Sequence, residues 1–180
     1  MTTIWTVGHG ARTLRGLLDL LTHAGIRRIV DIRRFPGSRR HPHFGGEALR
    51  DALSGLDIAY EHDADLGGFR RPAPDSPNRS LRNESFRGFA DHMATPSFRE
   101  ALERLISTSG DTPTAIMCAE TLWWRCHRRL VADALLARGV EVEHLLDAGP
   151  QTHELTPEAR VEGDLPVYDR PAGQQPLPEG

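Results

Sequence analysis

Residues Cys118 to Arg128 read CAETLWWRCHR, a stretch that gathers two thiols, a carboxylate, an imidazole, two guanidiniums and two indoles. A short apolar run, Thr114-Ala115-Ile116-Met117, precedes it, and an apolar stripe of Leu130, Val131, Ala134 and Leu135 follows, ending at Gly139. The run reads as a buried strand and the stripe as a helix. A turn from strand into helix carries unpaired backbone N–H groups and the positive end of a helix dipole, so it suits an anion or a thiolate. Cys126 opens that helix beside Arg125, His127 and Arg128, where it is placed to ionise and to act as nucleophile, redox centre or ligand. Cys118 closes an apolar strand, a setting in which a free cysteine more often packs than reacts. Glu120 has two readings: a general base, nucleophile or sugar-hydroxyl acceptor facing Arg128 and Arg33, or a salt bridge that ties the loop down. His127 lies one turn before Leu130 and Val131, so the helix stripe carries it inward.

These groups need elements to position them. Ile4-Trp5-Thr6-Val7 reads as a first strand stopped by Gly8-His9-Gly10. Thr13 then caps a helix with the buried stripe Leu14, Leu17, Leu18 and Leu21, which Gly25 ends. Residues 28–32 form a second strand that runs into an Arg-rich loop, and a helix over 47–53 leads to a third strand at 58–60. The stretch 62–85, with Gly67-Gly68 and three prolines, is a loop long enough to be functional or mobile. Helices over 86–93 and 96–106, a strand over 114–118, a helix from 126 and a strand over 140–145 follow. From Ala148 the composition shifts to Pro, Gly and acids, which reads as an irregular tail over 148–180 behind a single domain of residues 1–147.

This alternation predicts a three-layer α/β fold, an open, mostly parallel sheet of about five strands in the Rossmann or flavodoxin-like manner. In such sheets ligands sit beyond the carboxyl ends of the strands. His9, Asp31, Arg33, Gly67, Cys118 and Glu120 all fall at those ends, so one rim is expected to collect them. Glu120, Cys126 and His127 are the expected catalytic groups. His9, Asp31, Arg33, Gly67, Cys118, Arg125 and Arg128 are the expected binding groups.

Composition narrows the function. The formal net charge is −3, which argues against bulk affinity for nucleic acid. Every cation is Arg, however, and seven (Arg27, Arg28, Arg33, Arg34, Arg39, Arg40 and Arg50) crowd residues 27–50. Guanidinium forks suit phosphate or carboxylate. The Arg33–Arg40 loop, with Phe35, Phe44, Trp123 and Trp124, has the composition of a surface that stacks bases and holds phosphates. The other reading is a solvated Arg loop with indoles covering the core. Two cysteines are too few for a disulfide framework, no apolar run is long enough to span a bilayer, and the N-terminus lacks a basic start before an apolar stretch. A soluble cytoplasmic protein without a membrane partner is therefore expected.

No paired C-x-x-C or H-x-x-x-H spacing supports a metal site from Cys118, Cys126, His127 and His9. Gly8-His9-Gly10 lacks the third glycine of a dinucleotide fingerprint, because Thr13 stands there. No cofactor is predicted. The order strand, Cys, loop, Arg, helix is shared with rhodaneses and Cys-phosphatases, but their oxyanion loop spans about five residues. Here six residues, two of them Trp, separate Cys118 from Arg125.

Together, TVGHGARTL, IVDIRRFPGSRRHPHF, the Leu66-Gly67-Gly68 turn, SFRGFADHM, and AIMCAE followed by CHR resemble the DUF488 family over roughly residues 4–146. The resemblance implies a compact α/β domain with a cysteine-containing motif and assigns no activity. Two positions depart from the family pattern. Gly10 stands where a Ser or Asn commonly follows the Gly-His pair, and Trp123-Trp124-Arg125 is bulkier than the pattern before Cys126. The residues point to an enzyme acting on an anionic substrate, a nucleotide or a nucleic-acid base, by hydrolysis or group transfer. Two alternatives come from other classes: a non-catalytic nucleic-acid-binding accessory protein, and a thiol redox protein built on Cys118 and Cys126. The oligomeric state stays open.

Overall fold

The computed structural model describes residues 1–171 and builds them around a six-stranded sheet. Its strands are β1 (Thr3–Gly8), β2 (Arg28–Asp31), β3 (Ala59–His62), β4 (Thr114–Cys118), β5 (Glu141–His144) and β6 (Gln151–Thr152), in the order β3-β2-β4-β1-β5-β6. The first five are parallel and β6 runs antiparallel to β5. The helices are α1 (Leu14–His23), α2 (Gly46–Ser54), α3 (Glu84–Met93), α4 (Pro96–Ser109) and α5 (Arg128–Ala137). Short side-chain caps start three of them: Thr13 accepts from Gly16 N, Asn83 from Phe86 N and Thr95 from Phe98 N.

Alternation along the strands divides the core in two. Ile4, Val30, Ile32, Ile116, Cys118 and Val142 face α3, α4 and α5. Val7, Ile29, Ala115 and Met117 face α1 and α2, against Leu17, Leu21, Leu49 and Leu53. Both sheet faces are thus covered, as in the three-layer architecture expected. The connections out of β1 and β2 leave by the α1–α2 face, whereas the connection out of β4 leaves by the α5 face. Since β4 lies between β2 and β1, the chain diverges on both sides of its carboxyl end. That divergence opens a crevice where Cys118 stands.

The strands beyond the expected five come from the stretch read as an irregular tail. Besides β6, it forms the antiparallel hairpin β7 (Arg160–Glu162) and β8 (Leu165–Val167), and it sends Tyr168, fully buried, into the α5 layer. Residues 172–180 of that tail lie outside the described residues. Composition hid this packing because polar bonds, not an apolar period, secure it. The Tyr168 hydroxyl donates to Asp133 Oδ2 at 2.7 Å, and the Tyr168 N–H donates to Asn78 Oδ1 at 3.0 Å. His153 Nε2 meets Asp133 Oδ1 at 2.9 Å, and its Nδ1 meets His144 Nε2 at 2.9 Å. His144 in turn reaches Thr6 Oγ1 at 2.6 Å, so a closed polar chain crosses from α5 to β1. The stretch 62–85 is also packed. Asp91 of α3 accepts from Ala73 N, Ser76 Oγ and Asn78 Nδ2 and so pins it to the helix.

Removing the Tyr168 hydroxyl leaves one oxygen of a fully buried carboxylate without that donor. Tyr168→Phe is expected to lower the unfolding free energy by about 1.5–3 kcal/mol, the range for a hydrogen bond to a charged group. A urea midpoint unchanged from the wild type would show that this carboxylate does not depend on the C-terminal strands.

Candidate active site

A cavity of about 830 Å³ opens at the carboxyl end of β4. Of the ten expected catalytic and binding residues, seven line it: His9, Arg33, Cys118, Glu120, Arg125, Cys126 and His127. Asp31, Gly67 and Arg128 stand behind the wall. Gly67 packs against the Arg34 backbone, and the neighbouring Gly68 forms the surface instead.

Asp31 is fully buried and works through Arg33. Its carboxylate takes Arg33 Nε at 2.9 Å, Arg33 Nη2 at 2.7 Å and the Tyr60 hydroxyl at 2.5 Å. The last Arg33 nitrogen, Nη1, points to His9 Nε2 at 3.4 Å. His9 Nδ1 lies 2.9 Å from the Gly10 carbonyl, so this nitrogen carries the proton and Nε2 is left as the acceptor toward Arg33. Burial holds His9 below the ordinary imidazole value, and its ring stacks on the enclosed Phe44 at 4.4 Å. Arg33 is therefore saturated: Asp31 offsets its charge, and it has little left with which to grip a ligand.

Strand parity turns Cys118 toward α5. The chain then passes through a 3-10 turn, Trp123–Arg125, and returns Cys126 so that the two free sulfurs stand 2.7 Å apart. Arg128, the first residue of α5, is 1 % exposed yet pairs with no carboxylate among the described residues. Its Nη1 donates to Cys118 Sγ at 3.1 Å and its Nη2 to the Thr121 carbonyl at 3.0 Å. Its Nε has no partner among the described residues. A guanidinium keeps its charge at any working pH, so the counter-charge within reach is a thiolate at Cys118. Burial alone would push that thiol up, but the Cys126 hydrogen bond and the Arg128 charge outweigh it and bring Cys118 down to about 7.

Cys126 moves the other way, raised by burial and by the Cys118 sulfur beside it. The expectation that Cys126 is the acidic thiol is thus reversed. The helix start offers Cys126 only the Arg128 N–H at 3.5 Å, while the guanidinium reaches the other sulfur. His127 is carried inward as expected, and burial lowers it to about 4. Its Nε2 sits 3.1 Å from both the Ile32 and Leu66 carbonyls and so bears the proton. The unprotonated Nδ1 faces Cys126 Sγ at 3.5 Å. The result is a line of four groups: imidazole acceptor, thiol, thiolate and guanidinium.

Close approach to the Glu120–Thr121 segment requires glycine at two positions. A Cβ on Gly8 would lie 1.9 Å from the Glu120 carbonyl oxygen and 2.7 Å from Arg128 Nη1. Gly10 has φ +50°, and a Cβ there would lie 1.8 Å from Thr121 Oγ1. The hydroxyl absent from position 10 is thus present next door, on Thr121, which also lines the cavity.

Glu120 does not face Arg128 as expected; it forms no ion pair among the described residues, and its Oε1 accepts from Leu122 N at 3.2 Å. The salt-bridge reading of this exposed carboxylate fails. Arg40 and Arg125, both exposed, are likewise without an ion pair among the described residues. Arg34 donates to the Phe69 carbonyl at 2.6 Å and lies 5.4 Å from the Phe35 ring centre. Of the four aromatic residues read from sequence, Phe35 alone lines the cavity. Phe44 is buried, and Trp123 lies flat on His144 at 4.2 Å with Nε1 toward Gln151 Oε1. Two aromatic residues that sequence reading missed, Phe69 and Phe86, are in the wall. Phe69 has φ +59° and is 75 % exposed, a costly backbone state for a bulky residue, and no spacing pattern marks it. The start of α3 adds Asn83 and Ser85.

Alkylation of Cys118 by iodoacetamide is expected to rise with a midpoint near pH 7, with Cys126 unreactive in the same range. Arg128→Gln moves that midpoint toward the ordinary thiol value of about 8.5. The folded thiol is more acidic than the unfolded one, so its contribution to stability is complete above the unfolded value and is lost as pH falls through about 7. A wild-type midpoint near the ordinary value would refute the thiolate.

Among the described residues no helix is long and apolar enough to cross a membrane, and no group of three His, Cys, Asp or Glu is placed to hold a metal ion. No curated protein and no solved structure matches the chain. A family model, the domain of unknown function DUF488, matches residues 13–135, from the cap of α1 through most of α5 and across the whole Cys118–Arg128 stretch. Most of the sequence and much of the cavity wall fall within that match, and the chain belongs to the DUF488 family.

Proposed function

We propose that the chain is an enzyme that acts on a nucleotide or a nucleic-acid base carrying negative charge, with Cys118 as its nucleophile. One observation carries this reading: a buried guanidinium that among the described residues meets no carboxylate, aimed at a sulfur in the wall of a large cavity with exposed arginines at its mouth. Arg40 and Arg125 hold the anion. Phe35, Phe69 and Phe86 offer flat faces to a base. Cys118 attacks an electrophilic carbon or phosphorus, and Arg128 releases the sulfur as its charge is spent. Glu120, exposed and unpaired, exchanges a proton with the leaving group or with water, or accepts from a ribose hydroxyl. The reaction class is group transfer or hydrolysis.

The exposure of Phe35 (68 %) and Phe69 (75 %) beside Arg34 and Arg40 favours a second reading, a non-catalytic grip on single-stranded nucleic acid. One set of measurements separates the two. Thermal shift is recorded with a nucleoside, its monophosphate, ribose 5-phosphate and a short single-stranded oligonucleotide. The enzyme reading expects the monophosphate to stabilise by about 2.7 kcal/mol at a hundredfold excess over Kd. Arg125→Ala should weaken it roughly tenfold, about 1.4 kcal/mol. Cys118→Ser keeps binding and loses turnover. If only the oligonucleotide binds, with an affinity that falls steeply with salt and ignores Cys118→Ser, the enzyme reading gives way to the second. If none of the four stabilises the protein, both fall.

A further inference from the structure

We propose that Cys118 and Cys126 form a reversible dithiol–disulfide couple that reduces small hydroperoxides, Cys118 attacking and Cys126 resolving. The inference rests on the two sulfurs and their neighbours, and it holds whatever the cavity binds.

Two free sulfurs 2.7 Å apart are close to the roughly 2.05 Å of a disulfide bond. Only the short gap between the two sulfurs has to close to join them. Both sulfurs belong to the cavity wall, with Cys118 2 % and Cys126 7 % exposed. Such recessed thiols admit a small oxidant and exclude a protein disulfide. Their neighbours are unequal, as a two-step exchange requires. Arg128 Nη1 lies on Cys118, and the lone-pair nitrogen of His127 faces Cys126. A packing pair of cysteines has no use for either neighbour.

The steps balance without a cofactor. The Cys118 thiolate attacks the terminal oxygen of a hydroperoxide, ROOH. An S–O bond forms, the O–O bond breaks, and the alkoxide takes a proton from water to leave as ROH. Cys118 is then a sulfenic acid, and two electrons have passed to the peroxide. Cys126, whose S–H faces the lone pair of His127 Nδ1, attacks the Cys118 sulfur. The S–S bond forms, the S–O bond breaks, and the departing hydroxide takes the Cys126 proton and leaves as water. The sum is two thiols plus ROOH giving one disulfide, ROH and water. An external thiol, by exchange, restores the pair.

The test uses the full chain and hydrogen peroxide at one equivalent. Intact mass is expected to fall by about 2 Da, with one cross-link joining the Cys118 and Cys126 peptides within a single molecule, and dithiothreitol is expected to reverse it. Cys126→Ser should stop at a species about 16 Da heavier, trapped by dimedone on Cys118. Cys118→Ser should consume peroxide at least roughly tenfold more slowly, because the remaining sulfur is held as a thiol. The inference is overturned if both wild-type thiols survive a peroxide dose that oxidises free cysteine. It is overturned equally if the link forms only between molecules, or if Cys118→Ser reacts at the wild-type rate. The wild-type measurement needs no variant to fold and no nucleotide to bind, so its failure is distinct from failure of the nucleotide reading.

Discussion

A permanent positive charge enclosed in protein, with no carboxylate opposite it among the described residues, governs this molecule. Arg128 is nearly inaccessible, and leaving such a cation uncompensated costs several kcal/mol. What it meets is the Cys118 sulfur and one peptide carbonyl. A thiolate at Cys118 makes the burial tolerable, and the same contact makes the thiolate available near neutral pH. Three elements must cooperate for it to form. The end of β4 delivers the sulfur, the first residue of α5 delivers the guanidinium, and Gly8 at the end of β1 leaves room for its Nη1.

Topology explains why this happens at one place. The connections out of β1 and β2, which flank β4, leave by the α1–α2 face while that out of β4 leaves by the α5 face, so the carboxyl end of β4 is where the covering layers part. Parity then selects the face: Cys118 shares the α5 side with Ile116, whereas Met117 points away. The far side of the Cys118–Cys126 loop is fixed by the C-terminal strands, through Trp123 lying on His144 and reaching Gln151 of β6. The strands at the end of the chain are thus part of the foundation of the site.

Much of this was readable in the sequence because its signals are local. Strands buried on both faces leave short apolar runs, and Thr13 before Leu14-x-x-Leu17 marks a helix start without help from distant residues. The gathering of His9, Arg33, Cys118 and Glu120 at one rim followed from the strand ends alone. What sequence could not disclose depends on partners far away along the chain. Cys126 had the better local setting, and only the direction of the Arg128 side chain gives the charge to Cys118. Asp31 looked like a ligand contact until Tyr60 and Arg33 were seen to occupy it. Phe69 carries no periodic mark, because a left-handed backbone state in a phenylalanine comes from the loop around it. The C-terminal strands were missed because hydroxyl, imidazole and carboxylate groups fasten them, without the apolar rhythm that betrays a strand.

Asp133 sits mid-helix in α5 and accepts from His153, Thr156 and Tyr168, which follow it by 20, 23 and 35 residues. During synthesis the helix therefore emerges with a carboxylate whose partners have not yet been made. Until they arrive, that group has reason to stay in water, and the layer over Ile116 and Cys118 cannot seal. The layer that covers Ile116 and Cys118 is thus completed by polar partners that lie far from α5 along the chain.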